Sequence, residues 1–355
     1  MAPEDTSKFQ AALLEWYTAH KRDLPWRRTR DPYAVLVSEI MLQQTRVDTV
    51  IGYYHRFLER FPTVRSLASA SQDDVLKTWE GLGYYARARN LHRAAKKIVS
   101  EFQNTVPDSR EAIRSLPGVG EYIAAAVLSI AYGKPFAVVD GNVKRVLARI
   151  TCAETPINDP TALRVFTPVA EAMSATADPG SYNQAVMELG ALVCLPARPR
   201  CGDCPVSSVC EAFKQNVVSA YPKTVPRRPV PTHEISVGVV RRRGKLLITK
   251  RAEDGLLGGL FEFPGGKIKP GETPEAACAR ELLEETGLSV DVGERIATIR
   301  HAYTHFKIVL YAFYCTSKGG RVRLDGPIDF KWVRPEELSA YPFPKANLKF
   351  LHLLR

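Results

Sequence analysis

The sequence predicts a multidomain protein, with an all-α N-terminal part followed by a smaller α/β domain. Three observations predict it. Apolar residues recur at helical spacing through most of the first 193 positions. Pro222, Pro226, Pro229 and Pro231 then stand among Lys223, Arg227 and Arg228, the composition of a stiff, extended, basic linker. Beyond it the period becomes strand-like at 235–241, 246–250 and 308–314, which suits a small mixed sheet. The expected bounds are 1–217 for the helical domain, 218–233 for the linker and 234–355 for the α/β domain.

A chain of 355 residues is long enough for each part to bury its own core. Its net charge of +11 and pI of about 9.3 favour a polyanionic partner, although basic charge also fits ribosome or membrane contact. The first six residues are polar and the next apolar ones are spaced as an amphipathic helix, so no signal peptide is expected. No apolar run reaches the length of a membrane span. The expectation is a soluble, monomeric, intracellular protein, cytoplasmic or associated with the nucleoid.

Taken in order, Phe9, Leu13, Trp16 and Tyr17 mark a first helix, and Leu24-Pro25-Trp26-Arg27 a non-helical turn. Trp26 and Arg27 there suit either a loop anchor or a lid over a purine. A long helix is expected from 33 to 61, carrying Glu39 among Val35, Leu36, Ile40, Met41 and Leu42. A carboxyl held among apolar side chains keeps its proton toward neutral pH, as a general acid must; a helix-surface glutamate that merely neighbours apolar residues in sequence is the alternative. Gln43 and Gln44 carry amides that suit base edges, or plain solvation. Gly81-Leu82-Gly83-Tyr84-Tyr85 reads as a turn, either an ordinary one or one that approaches a duplex with an aromatic wedge.

The stretch 116–142 is the most informative. Pro117, Gly118 and Gly120 form a tight loop opening into an apolar helix, where backbone N–H groups could receive a phosphate. A short β-branched run, Val138 and Val139, then delivers Asp140 to a basic helix, which Asp140 would cap. Further helix is expected over 161–193, with Asn183 and Gln184 ahead of an apolar run.

Of seven cysteines, Cys194, Cys201, Cys204 and Cys210 are separated by six, two and five residues, a set expected to bind metal. Zinc is one candidate, but only Cys201 and Cys204 have the paired spacing that zinc sites favour. Arg198 and Arg200 lie in the first interval, a basic loop suited to phosphate. Cys152, Cys278 and Cys315 stand apart and are expected to be buried hydrophobes.

In the α/β part, Gly266, Glu272 and the run Arg280 to Leu288 match the whole Nudix box. Thr273 and Pro274 start its helix and Gly287 ends it. Glu281, Glu284 and Glu285 share a face at which Mg²⁺ could be held; an acidic solvent face is the alternative.

The strings at 116–142 and 194–210 resemble the helix-hairpin-helix segment and the [4Fe-4S] loop of endonuclease III-type DNA glycosylases. Together with the Nudix-like half, nearly the whole chain is similar to adenine DNA glycosylases of the MutY type. The resemblance implies excision of adenine opposite 8-oxoguanine or guanine in double-stranded DNA. It implies that Glu39 protonates the adenine and that Asp140 stabilises the oxocarbenium-like sugar, supported by Tyr122 and Asn142. Trp26, Arg27 and Gln184 fall at the family's adenine pocket, and Gln44 and Tyr84 at its duplex-probing positions. Tyr303, Thr304 and His305 align with the loop that contacts 8-oxoguanine, although only His305 is identical to it. Tyr122 stands where bifunctional relatives carry a Schiff-base lysine, which implies a monofunctional enzyme with any strand cleavage adventitious, through Lys144. The intact Nudix box departs from the family's usual degraded one and leaves open an added Mg-dependent hydrolysis of oxidised nucleotides. A Nudix hydrolase with a DNA-binding appendage and a non-catalytic lesion-binding scaffold are the competing classes.

Overall fold

Residues 3–226, 229–255 and 257–354 are described by a computed structural model; Arg227 and Arg228 of the linker lie outside them. Helices α1 (Pro3–His20), α2 (Pro32–Leu42), α3 (Val47–Arg60), α4 (Val64–Ser69), α5 (Gln72–Thr78) and α6 (Ala86–Glu101) come first. They are followed by α7 (Arg110–Arg114), α8 (Glu121–Ile130), α9 (Gly141–Thr151), α10 (Ala162–Met173), α11 (Pro179–Leu192) and α12 (Glu211–Lys214). Strands β1 (Thr232–Arg242), β2 (Lys245–Lys250), β3 (Phe261–Glu262) and β4 (Gly265–Lys267) lead to α13 (Pro274–Thr286). Strands β5 (Val290–Ala302), β6 (Lys307–Ser317) and β7 (Asp329–Val333) and the short helix α14 (Lys345–Leu348) complete the chain. Among the described residues no helix is long and apolar enough to cross a membrane.

The single helix expected over 33–61 is two. Asp31 caps α2 by accepting from the Tyr33 and Ala34 N–H groups, with Pro32 in the first turn. The helix ends at Leu42, and Gln44 adopts a left-handed φ of 55°. The reason lies in burial: Tyr33 to Met41 are all buried, whereas α3 is amphipathic and buries only Val50, Tyr54 and Phe57. The polar Gln43-Gln44-Thr45-Arg46 between them has no apolar face to continue either pattern. The expected helix over 161–193 likewise divides, where Asp178 accepts from Ser181 N and Pro179 opens α11.

Packing groups the chain into two units, Met1–Leu58 with Thr63–Arg65 and Arg93–Arg227, and Glu59–Pro62 with Ser66–His92 and Arg228–Arg355. In the first, Phe9, Leu13 and Tyr17 of α1 pack with Val146 and Ile150 of α9, Phe166 of α10, and Tyr182 and Leu189 of α11. The first half of the linker is extended and docked on this unit. Asn158 acts as a one-residue strand partner, donating to Val225 O and accepting from Val225 N, both at 2.8 Å.

In the second unit the sheet runs β3-β2-β1-β6-β5, with β4 on β1 and β7 on β2. Among the described residues only the β1–β6 pair is parallel; the other pairs are antiparallel. Val237, Val239, Leu310 and Ala312 face Phe263, Phe343 and Phe350 on one side, and Val240, Leu247 and Phe313 face Cys278 and Leu282 of α13 on the other. Thr273 caps α13 through Ala276 N, and Gly287 closes it at a φ of 69°. Residues 66–92 belong to this unit by their hydrogen bonds. Glu80 accepts from Phe343 N at 2.9 Å, Tyr85 donates to Phe343 O at 3.2 Å, and Arg89 donates to Gly258 O at 2.6 Å.

Candidate active site

Asp140 ends a segment, 133–140, that has neither helix nor strand. One carboxylate oxygen caps α9 by accepting from Val143 N at 2.7 Å, and the other accepts from Asn142 Nδ2 at 3.0 Å. The cap and the candidate functional group are therefore one side chain: Asp140 also lines a cavity of about 170 Å³. Burial pushes its carboxyl above the usual range, against the two N–H donors and the Arg145 guanidinium, which pull it down.

Glu39 comes to the same cavity from α2 and is 4% exposed. Burial pushes it up to about 7, the Tyr122 hydrogen bond and Arg27 oppose the rise, and the Asp140 charge adds to it. Glu39 therefore holds its proton further toward neutrality than an ordinary glutamate, while Asp140 retains two donors aimed at its anion. Tyr122 corrects one expectation. Its hydroxyl donates to Glu39 Oε2 at 2.7 Å and touches Met187 Sδ at 3.6 Å, so it supports Glu39, whereas the donors to Asp140 are Asn142 Nδ2 and Val143 N.

Trp26, Arg27 and Gln184 line the cavity as well. Trp26 sits in a one-turn helix, edge-on to Tyr54, and so is both loop anchor and cavity wall. Sequence reasoning missed the group that fixes Arg27. Glu188, whose side chain is wholly buried, receives Arg27 Nη1 and Nη2, both at 2.9 Å, and Arg22 Nε and Nη2 at 2.9 and 2.6 Å. Burial alone would raise Glu188, but these hydrogen bonds hold it down at about 2. The available signal was its place four residues after Gln184 on one helix. Gln184 itself accepts from Tyr17 at 2.9 Å, and Arg27 lies over the Tyr17 ring.

Other expected residues lie outside this cavity. Gln44 is exposed at its left-handed turn, next to the cavity-lining Thr45. Gly118 and Gly120 are exposed in the turn before α8, where Arg110 and Arg114 pair with Glu121. Lys144 is engaged with Ile157 O at 2.7 Å.

Cys194, Cys201, Cys204 and Cys210 line one largely apolar cavity with Val146, Ile150, Leu189 and Val206. Arg149 Nη1 donates to Cys194 Sγ at 3.2 Å. Arg198 and Arg200 are exposed on the loop between the first two of these cysteines. Among the described residues no three His, Cys, Asp or Glu side chains are grouped to hold a single metal ion. Of the remaining cysteines, Cys152 is half-buried at the left-handed C-cap of α9 rather than buried. Cys278 and Cys315 are buried but not isolated, with sulfurs 3.7 Å apart, because α13 packs directly on β6.

In the second unit the hydroxyls of Tyr84 and Thr304 hydrogen-bond to each other, and Tyr84 has a φ of 49°. Tyr303 closes the β5–β6 hairpin through Phe306 O and lies edge-on to His301 and tilted against Phe306, while His305 is exposed. On α13, Arg280 spans Glu272, Glu281 and Glu284 at 2.7–3.0 Å, and Glu285 accepts from Gly265 N at 3.0 Å.

Comparison with known proteins follows the same division. Residues 37–166 match the family described as HhH-GPD superfamily base excision DNA repair protein, and residues 236–353 match the NUDIX domain. The chain is 34% identical to the adenine DNA glycosylase of Homo sapiens, over 94% of this chain and 71% of that protein. It is 35% identical to the adenine DNA glycosylase of Mus musculus, over 94% of this chain and 75% of that one. A solved thermostable thymine-DNA glycosylase aligns with 60% of this chain and 98% of its own at 30% identity, with a TM-score of 0.56.

Proposed function

This chain belongs to the adenine DNA glycosylase family, a base excision repair glycosylase that hydrolyses an N-glycosidic bond, and from that premise we propose its substrate and the roles of its side chains. The substrate is double-stranded DNA in which adenine lies opposite 8-oxoguanine or guanine. The observation that carries this reading is the meeting of Glu39 and Asp140 in one cavity, the first raised to about 7 and the second held by two N–H donors.

The adenine must leave the stack to reach that cavity, at a cost of about a few kcal/mol. Trp26, Arg27 and Gln184 form its pocket, with Arg27 held in place by Glu188. Protonated Glu39 gives its proton to the departing adenine as the C1′–N bond breaks. The Asp140 carboxylate bonds to C1′, and water then displaces it, leaving an abasic site, while Glu39 takes up the proton that the water releases. Tyr122 keeps Glu39 oriented and Asn142 keeps Asp140 oriented. A phenol forms no imine, so the enzyme is monofunctional.

Gly118, Gly120, Arg198 and Arg200 contact the DNA backbone, and Gln44 and Tyr84 probe the duplex from left-handed turns. Tyr303, Thr304 and His305 read the 8-oxoguanine, and the Tyr84–Thr304 hydrogen bond supports this by joining the wedge to the reading loop. The four cysteines of 194–210 would hold a [4Fe-4S] cluster. Four sulfurs line one cavity, and only Cys201 and Cys204 have the paired spacing that a zinc site favours, which supports a polynuclear cluster over one zinc ion. Its contribution when bound is to order the loop bearing Arg198 and Arg200. Mg²⁺ at Glu281, Glu284 and Glu285 is the weaker reading, because Arg280 already neutralises the first two of these and Glu285 caps Gly265 N. The protein acts on intracellular DNA, at the nucleoid, as a monomer.

Single-turnover cleavage of duplexes with adenine opposite 8-oxoguanine, guanine, cytosine or thymine tests this. Strand breaks are expected only after alkali, and fastest opposite 8-oxoguanine. Robust nicking without alkali would overturn the monofunctional assignment.

A further inference from the structure

The segment that presents Asp140 has no ladder of its own, yet Val138 and Val139 are buried at 1% and 9% exposure. Buried backbone polar groups need partners, so something outside the segment must supply them. One side chain does so. Asn183 of α11, itself 2% exposed, accepts from Val138 N at 3.0 Å and donates to Phe136 O at 2.8 Å. Its second N–H donates to Ser129 Oγ of α8 at 2.9 Å. An asparagine amide offers one oxygen and two N–H bonds, and here each is engaged.

We propose that Asn183 is a positioning residue for the hydrolysis, its amide standing in for a neighbouring strand and fixing where Asp140 meets the sugar. Phe136 O and Val138 N are the pair that a strand neighbour would bond, and Asp140 follows Val138 by one further pleat, about 7 Å along the chain. Close packing makes the mount stiff. A Cβ on Gly180 would lie 2.8 Å from Ser129 O, and one on Gly190 would lie 2.7 Å from Asn142 Cβ. Helix α11 therefore rests directly on α8 before Asn183 and on the start of α9 after it. The same helix carries Gln184, Met187 and Glu188 of the cavity wall, so it ties the pocket for the base to the carboxylate for the sugar. The inference rests on the role proposed for Asp140 above.

The test uses the full chain, single-turnover rates on an adenine:8-oxoguanine duplex, and affinity for the same duplex carrying a non-hydrolysable 2′-fluoroadenosine. Asn183→Leu is expected to slow the chemical step about 10²-fold with duplex affinity retained, the loss that about 1 Å of misplacement produces. Asn183→Asp adds a readout that a general loss of packing would not give. Protonated, its carboxyl accepts from Val138 N and donates to Phe136 O as the amide does; ionised, it repels Phe136 O. Its rate relative to the native protein is therefore expected to rise as pH falls. A native-like rate for Asn183→Leu, or an Asn183→Asp to native ratio that is constant with pH, would overturn the proposal; the ratio decides if Asn183→Leu does not fold. Asp140→Asn is measured beside them. If it is inactive while the Asn183 variants are native-like, the positioning role alone fails, and if it is fully active the role of Asp140 fails first.

Discussion

The Tyr122 hydroxyl donates to Glu39 Oε2 at 2.7 Å, in a cavity that Asp140 also lines. That bond favours the charged form of Glu39, whereas burial favours the neutral one, and burial prevails by enough to raise the group to about 7. The balance makes the acid adjustable from one neighbouring atom.

Activity is accordingly expected to fall as pH rises through about 7, because the proton donor is lost. Tyr122→Phe removes the interaction that lowers Glu39, so the alkaline limb of the single-turnover rate profile should move to higher pH. A profile displaced the other way would contradict the assignment. The sign for stability follows from the same shift. A carboxyl raised on folding stabilises the native state below its ordinary pKa of 4.5, and that contribution is lost as pH rises through about 7. Glu39→Gln should remove this loss, visible as a melting temperature that declines less between pH 5 and 8 than that of the native protein.

Glu188 bears two guanidinium groups with its side chain fully buried. Glu188→Ala leaves Arg22 and Arg27 without their counter-charge, and a destabilisation of about 3 kcal/mol is expected in denaturant titration. The double change with Arg27→Met should recover part of it if the cost lies in the stranded charge. A sum of the two single effects would place the cost elsewhere.

Cys204→Ser should lower iron and sulfide content and weaken duplex binding through the Arg198 and Arg200 loop, while leaving the Glu39–Tyr122 contact in place. Elemental analysis of the native protein checks the premise directly. Zinc at one equivalent, without iron, would replace the cluster by a single ion.

Thr304→Val removes the hydroxyl bonded to Tyr84 at nearly constant volume. The expected result is about a tenfold loss in preference for 8-oxoguanine over guanine opposite the adenine, the size of one lost hydrogen bond to a polar partner. The rate opposite guanine should hold. Equal losses on both duplexes would indicate a general weakening of binding.

Glu39 was legible as a carboxyl within an apolar helix and Asp140 as a cap after a β-branched pair, but their pairing as one site came from the family resemblance and not from either local pattern. The Nudix helix was legible to its caps, since Thr273, Pro274 and Gly287 determine its ends by local chemistry. Glu188 was not, because a glutamate on a helix declares its partners only when Arg22 and Arg27 arrive from 161 or more residues away. Asn183 was visible as a residue but not as a mount, since its three bonds reach back 45 to 54 positions. The break at Gln44 was missed because the stretches before and after it each carry apolar residues at helical spacing, while the burial of the two helices it separates differs.

Phe343 and Gly258 reach back to Glu80, Tyr85 and Arg89, so a stretch encoded early is finished by a stretch encoded late. During synthesis those particular bonds cannot form until the later stretch has emerged. Genetic exchange at the proline-rich join would therefore not trade whole modules: it would divide one folded body, and a borrowed tail would succeed only by bringing its own match for residues 66–92.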